Sequence, residues 1–355
     1  MLVTAVAVAA AGAWGVSRAA DQTVAEVERV SALEGVLAPL PGQGPAATDE
    51  SGQALPDVQT YPARNYLLVG SDSREGVSAD DEDYDIVGSE AAVGGRRSDT
   101  IMVLRQEENG GLSLMSLPRD LWVEIAGTGH KERINTAFNG GADRLIATVS
   151  QSLGIPIHYY VEVDFLGFKE IIDELGGVEL CIGYPARDVK SGLALDAGCQ
   201  VLDGVQALAY ARSRTYEEWD GDSWNVDGRA DLGRIERQQL FIRAAIDGTL
   251  RRMQSDPFGA GDLINAVAGS VRIDERLDPF EAAATLRSAV QDDGIRTFRL
   301  PVSPEMIDGK SVLELGKGSS EVLAYFAGTG PAPTEFETTA DTAAATSDAP
   351  SAAAP

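Results

Sequence analysis

Residues 98–120 read SDTIMVLRQEENGGLSLMSLPRD. Two apolar runs, TIMVLRQ (100–106) and LSLMSLP (112–118), are split by Glu108-Asn109-Gly110-Gly111. Asparagine and glycine tolerate the positive φ angles of a tight reversal, so the stretch predicts a pair of antiparallel strands. Upstream, NYLLVG (65–70) is a short apolar run ending in glycine, the pattern of a buried strand. Downstream, helical patterns over 142–153 and 165–175 flank the strand-like HYYVEVD (158–164), and VELCI (178–182) reads as another strand. A helix over 203–211 and a long helix over 231–253 follow. Residues 257–327 add helices and one more strand, IRTFRL (295–300). Strands alternating with helices predict an α/β fold, a three-layer α/β/α sandwich around a central mixed sheet over residues 63–330.

The flanks differ in composition. Leu2 to Val16 is apolar apart from Thr4, shorter than the roughly 20 apolar residues of a bilayer span and without a basic leader before it. We read residues 1–18 as a truncated signal anchor, with everything after Arg18 outside the membrane; a cleaved signal peptide and a buried helix are the alternatives. This makes the chain a single-pass protein of the cell membrane with an extracytoplasmic domain. Within 19–62, Val24, Val27, Val30 and Leu33 recur at helical spacing and predict a juxtamembrane helix over 21–38; residues 39–62, rich in Pro and Gly, predict a linker. From Pro331 onward the chain is Ala, Thr, Ser and Pro with scattered acids, which predicts a disordered tail over 331–355. Export would place the two cysteines, Cys181 and Cys199, in an oxidising compartment and favour a disulfide between them.

A formal net charge of -26 argues against a nucleic-acid partner, which needs a basic face. A small anion is still compatible, because the field inside a pocket can oppose the global one. The sparse basic residues recur at the ends of the predicted elements. Gly70-Ser71-Asp72-Ser73-Arg74 ends the first strand, Arg96-Arg97-Ser98-Asp99 opens the second, and Pro118-Arg119-Asp120 ends the third. Lys131 and Arg133 precede Ile134-Asn135, Arg212-Ser213-Arg214 ends a helix, and Asp231, Arg234, Arg237, Gln238 and Gln239 open the long one. A single arginine of this kind is best explained by an ordinary surface ion pair; six clusters at element ends are not. Ligands of open α/β sheets bind where strand ends and their loops converge. Guanidinium forks match phosphoryl oxygens, two carboxylates such as Asp72 and Asp99 can hold Mg²⁺ across phosphate oxygens, and Asp231, Arg234 and Gln238 share one helix face. The chemistry points to a pyrophosphate.

The ordered string GSDSR, RRSDTIMVL, SLPRD, INTAF, YARSR and D-x-x-R-x-x-RQQ resembles the LytR-CpsA-Psr family of cell-wall glycopolymer ligases over residues 62–250. The resemblance implies a membrane-tethered phosphotransferase that moves an anionic glycopolymer from a polyprenyl-pyrophosphate carrier to peptidoglycan, with Mg²⁺ (or Mn²⁺) as cofactor. It implies Asp72 and Asp99 as metal ligands, and Arg97, Arg119, Arg212 and Arg214 as the pyrophosphate grip, with Gln238 nearby. Arg234 and Arg237 match the helix motif and brace or contact the phosphates. This chain departs from the family pattern in the acidic insertion between Asp72 and Asp99, and in Arg133, which stands where lysine is usual. Either Lys131 or Arg133 reaches the phosphate. An apolar tunnel for the prenyl chain is implied too, with Phe165, Leu166, Phe168, Ile171, Ile172 and Leu175 as candidates that serve equally as plain core. A pyrophosphatase that hydrolyses the carrier and a non-catalytic lipid-binding envelope regulator are the other readings.

Other motifs lead nowhere. Asp308-Gly309-Lys310-Ser311 ends like a P-loop, but Pro304 stands where its first glycine belongs. There is no G-x-S-x-G elbow, and His130 and His158 have no matched nucleophile.

Overall fold

The computed structural model describes residues 27–40, 63–71, 98–108, 111–228, 231–255, 268–279, 282 and 295–338. In chain order, strands β1 (Glu28–Val30), β2 (Arg64–Ser71), β3 (Ser98–Gln106) and β4 (Leu112–Leu117) precede the short hairpin β5 (Trp122–Glu124) and β6 (Lys131–Arg133). A 3-10 turn over Ile134–Gly140 leads to helix α1 (Ala142–Leu153), then β7 (Tyr159–Val163), α2 (Phe165–Glu174) and β8 (Val178–Ile182). Strands β9 (Ala186–Asp188), β10 (Leu193–Leu195) and β11 (Gly198–Leu202), helix α3 (Gly204–Arg212), and strands β12 (Glu217–Trp219) and β13 (Trp224–Val226) lead to the long α4 (Asp231–Ser255). The last part holds β14 (Arg272–Asp274), β15 (Ile295–Arg299), β16 (Val302–Ile307), β17 (Lys310–Leu315), α5 (Ser319–Phe326) and β18 (Glu337–Thr338).

Among the described residues, eight strands form the central sheet in the order β1-β14-β7-β2-β3-β4-β15-β18. It is mixed: β2 runs antiparallel to β3 and parallel to β7, while β4 runs parallel to β15. Alternate side chains of β3 and β4 point to opposite faces. Val103 and Met115 join a core with Leu145, Ile146 and Val149 of α1 and Val322 and Phe326 of α5. Met102 and Leu114 pack on the other face, against Ile242 of α4. Both faces are therefore apolar, which is why the runs read as continuous rather than alternating. The β3–β4 hairpin forms as the Asn-Gly signal predicts, with Gln106 paired to Leu112.

Three expectations are corrected. The helix expected over 21–38 is a strand at Glu28–Val30, paired in parallel with β14, followed by a turn in which the Leu37 amide donates to the Leu33 carbonyl. Apolar residues three apart fit a strand followed by a turn as well as a helix, and the open edge of β14 offers backbone partners that an isolated helix lacks. Residues 257–327 hold four described strands, not one. The extra hairpin β16–β17 is largely exposed and shows no apolar alternation; its two-residue turn is Asp308-Gly309, both with positive φ, which explains the P-loop-like string as turn chemistry. Residues 331–338 of the expected tail are part of the fold. β18 pairs with β15, Arg296 grips Glu337 through two hydrogen bonds of 3.0 and 2.9 Å, and Phe336 packs on the core. One ring and one carboxylate suffice there, and the average composition of the tail hides them.

Leu2–Val16 and most of the expected linker lie outside the described residues. No helix among those described is long and apolar enough to cross a membrane. Cys181 and Cys199 are register partners across β8 and β11 and are disulfide-bonded, a short loop closure worth about 3 kcal/mol in the chain-entropy model. Asp164 caps α2, and Asp203 with Gln206 forms a capping box at the start of α3. The two helices meet at glycine: a Cβ on Gly204 would sit 2.4 Å from the Lys169 carbonyl oxygen.

His158 is buried, and its Nδ1 accepts the Asn65 amide at 2.9 Å. Burial, with Arg276, Arg105 and Arg64 nearby, lowers its pKa to about 4. The folded state thus favours the neutral ring. That stability is complete above pH 6.5 and is lost as pH falls towards 4, to a total of about 3 kcal/mol. Melting temperatures should drop over this window in the wild type, and the drop should be shallower in His158→Asn.

Candidate functional site

One rim of the sheet is built from the end of β2, the start of β3 and the end of β4. Ser71, the residue before Asp72, is the register partner of Ser98, the residue before Asp99, after an irregularity at Gly70. Ile101 pairs with Leu117, so the Pro118-Arg119-Asp120 turn leaves β4 at that same rim. Asp72, Arg74, Arg96, Arg97 and the Asp99 side chain lie outside the described residues. By residue type alone, the aspartates that follow Ser71 and Ser98 in sequence offer hard carboxylate oxygens, the donor class that Mg²⁺ takes. Among the described residues no group of three or more His, Cys, Asp or Glu side chains converges as a metal cluster.

Arg119 and Arg133 meet around one carboxylate. Arg119 Nε lies 3.6 Å from Asp120 Oδ2, and Arg133 Nε lies 3.3 Å from Asp120 Oδ1. Backbone bonds fix the arrangement: the Ile134 amide donates to the Leu121 carbonyl, and the Asn135 amide to the Arg119 carbonyl. The β16–β17 hairpin supports it from outside, with Arg133 Nη2 donating to the Ser311 carbonyl at 2.7 Å and the Leu313 amide to the Asp120 carbonyl at 2.9 Å. Lys131 sits exposed at the other end of β6, opposite Glu124. Of the two basic residues before Ile134, Arg133 is the one beside Arg119.

Helix α4 ties the α3 arginines to this rim. Gln238 Nε2 donates to Thr100 Oγ1 at 3.0 Å and to the Ala211 carbonyl at 2.9 Å, bridging the start of β3 and the end of α3. Gln239 Nε2 reaches Ser116 Oγ and the Phe298 carbonyl. Arg234 is buried on the same helix. Arg237 is a brace: Nη1 donates to Asp227, Nη2 to the Ser213 carbonyl, and its guanidinium lies 4.4 Å over the Tyr216 ring.

The Arg212-Ser213-Arg214 loop is held from beneath by Asp188, a residue that no motif in the sequence marks. Its carboxylate accepts from the Arg214 and Thr215 amides, both hydroxyls of Ser213 and Thr215, and the Lys190 amide. Burial pushes its pKa up, but these donors outweigh burial and hold it down at about 2. Asp120 and Asp227 are two further carboxylates that organise arginines, a role that the sequence analysis assigns to neither. Asp120 adjoins Arg119 in sequence; Asp188 reaches the arginine loop, and Asp227 reaches Arg237, across 10 to 27 positions, with no local signal of either contact.

Arg212 lies 4.4 Å over the ring of Phe165, which is buried with Leu208. Ile172 packs in a second core with Tyr210 and Phe241, joined by Phe168 and Leu175; Leu166 and Ile171 are half-buried. Of these six, Phe165 lies directly against the α3 arginine, and Phe168 links it to the core that holds Ile172 and Leu175.

The chain belongs to the LytR_cpsA_psr family, whose sequence profile matches residues 44–325. It is 37% identical over 252 residues to the probable cell wall biosynthesis protein LcpB of Corynebacterium glutamicum, covering 69% of this chain and 56% of that protein, little more than half its length. It is 33% identical over 244 residues to the polyisoprenyl-teichoic acid–peptidoglycan teichoic acid transferase TagU of Halalkalibacterium halodurans, covering 66% of this chain and 69% of the relative. In three dimensions it is similar to a LytR-Csp2A-Psr enzyme from Actinomyces oris (TM-score 0.61, 25% identity, 74% of this chain and 89% of the other). It is also similar to TagV of B. subtilis (TM-score 0.56, 25% identity, 76% and 99%).

Proposed function

We propose that this protein transfers an anionic glycopolymer from a polyprenyl-pyrophosphate carrier to a peptidoglycan hydroxyl. The observation that carries the reading is the meeting of Arg119 and Arg133 at the rim that Gln238 joins to the α3 arginine loop. The activity for which the TagU relative is named supports it. In this reading Arg97, Arg119, Arg133, Arg212 and Arg214 bind phosphoryl oxygens, while Arg234, Arg237 and Gln238 hold the wall of the site in place. Asp72 and Asp99 would hold Mg²⁺ (or Mn²⁺), which supplies Lewis-acid neutralisation of the phosphates. The acceptor hydroxyl oxygen attacks the sugar-bearing phosphorus, the bond from that phosphorus to the bridging oxygen breaks, and prenyl phosphate leaves. The hydroxyl proton passes to Asp72 or Asp99. The arginines stabilise the charge that grows on the leaving phosphate. We read the domain as a three-layer α/β/α sandwich facing outward from the cell membrane, anchored through residues 1–18.

The test is incubation of the purified protein with lipid-linked glycopolymer, with and without peptidoglycan oligomer and with and without EDTA. Polymer should appear on the oligomer, and EDTA should stop this until Mg²⁺ is restored. Release of free polymer phosphate regardless of oligomer would replace the proposal with a pyrophosphatase; binding without turnover would replace it with a lipid-binding regulator.

A further inference from the structure

The small sheet β10-β9-β12-β13 has an inner and an outer face. Ala186, Asp188, Leu193 and Leu195 point inward and are buried. Strand alternation therefore turns Arg187 outward, with its register partners Ala194 and Glu217, and with them Trp219, Trp224 and Val226. Trp219 and Trp224 are opposite each other across the hairpin, their rings 5.6 Å apart and inclined by 53°. Arg187 braces the pair: its guanidinium lies 4.1 Å over the Trp224 ring, and its Nε donates to Glu217 at 2.5 Å. Val226 beside them is 59% exposed. Asp220 shapes the turn, accepting from the Asp222 and Ser223 amides and from Asn225.

We propose that this outer face docks the acceptor glycan strand of peptidoglycan, its pyranose rings stacking on Trp219 and Trp224. The inference rests on the transfer reading above. Two half-buried indoles on an outward sheet face offer flat apolar area next to charged hydrogen-bonding groups, which matches the alternating C–H faces and hydroxyl edges of a sugar chain. Charge selects among glycans. Glu217 and Asp227 are paired with Arg187 and Arg237, and Glu218, the register partner of Ala186, belongs to the other face, so the acids beside the tryptophans are the exposed Asp220 and Asp222 of the turn. An anionic glycopolymer or an anionic membrane is repelled there, whereas a neutral N-acetylated glycan is not. The face is also fixed to the arginine site at two points. Asp188, the neighbour of Arg187 on β9, holds the Arg214 loop, and Asp227, just after β13, pairs with Arg237. A glycan lying on the tryptophans is thereby held in a set position relative to the phosphate-binding arginines.

The test uses the full chain with ¹⁵N-labelled indoles and chitotetraose, a neutral β-1,4-linked N-acetylglucosamine oligomer. The four tryptophans are Trp14, Trp122, Trp219 and Trp224. Chitotetraose should shift the Trp219 and Trp224 indole signals and leave Trp122 in place, which needs no variant. Trp219→Ala with Trp224→Ala should weaken binding by about tenfold or more while calorimetric binding of geranylgeranyl pyrophosphate is unchanged. Unshifted Trp219 and Trp224 signals, or shifts produced by anionic vesicles and not by the oligomer, would overturn the platform. Normal oligomer shifts with no geranylgeranyl pyrophosphate binding in the wild type would instead overturn the transfer reading and leave a glycan-binding face.

Discussion

Transfer by the Arg119→Ala protein is expected to fall by about 10²–10³-fold, the usual cost of losing one aimed donor at a site of developing charge. The fold should survive. Arg119 is half-buried and shares Asp120 with Arg133, so Asp120 keeps a cationic neighbour 3.3 Å away after the change. The melting temperature should therefore stay close to the wild-type value while the initial rate of polymer transfer collapses. Arg119→Lys should recover only part of the rate, because an ammonium keeps the charge but not the planar two-pronged geometry. Unimpaired transfer by the alanine protein would remove the arginine rim as the seat of the reaction.

Asp188→Ala should damage both stability and activity. The carboxylate is 1% exposed, and its removal strands the buried Ser213 hydroxyl and part-buried donors from Arg214, Thr215 and Lys190. Unsatisfied buried groups of this kind cost about 1–3 kcal/mol each, and relaxation of the loop should limit the total to about 3–5 kcal/mol. The same relaxation moves Arg212 and Arg214, and a displacement of about 1 Å at a reacting centre lowers rates by about 10²-fold. Denaturant melts and transfer rates measured on the same preparation read both effects. The acid side gives a second check. The Asp188 pKa is depressed to about 2 in the folded chain, so its stabilisation is present above the ordinary carboxylate value and disappears as pH falls towards 2. The Asp188→Ala protein should lack that part of the acid transition. A variant with wild-type melting and wild-type rate would leave Asp188 without the role assigned to it.

The central strands and the helices were legible because each buries enough apolar surface to impose a period on its own residues. TIMVLRQ, LSLMSLP and NYLLVG are strands for that reason, and residues 142–153 form the helix their spacing predicts. Strands held mainly by their neighbours were not legible. Glu28–Val30 exists because β14 leaves an edge open, Glu337–Thr338 exists because β15 and Arg296 supply partners from elsewhere in the chain, and Ala186–Asp188 is only three residues long. The site divides along the same line. Arg119 follows the strongly patterned β4 and Gln238 lies in the first turns of the long helix, so their places follow from those elements, whereas Arg133 ends a three-residue strand with no apolar pattern of its own. Asp188 satisfies a loop 25 residues further along the chain, and no pattern in its own segment marks it for that task.

The pairing of β1 has a geometric consequence for how the molecule meets its surroundings. Glu28 pairs with Arg272, Arg272 with Glu162, and Glu162 with Val69, so the start of β1 lies at the same edge of the sheet as the exit of β2. Whatever precedes Glu28 joins the sheet from the side that bears the guanidinium groups. A leash running from there to a surface would keep the mouth of the site turned down towards it, within reach of a headgroup still embedded in that surface.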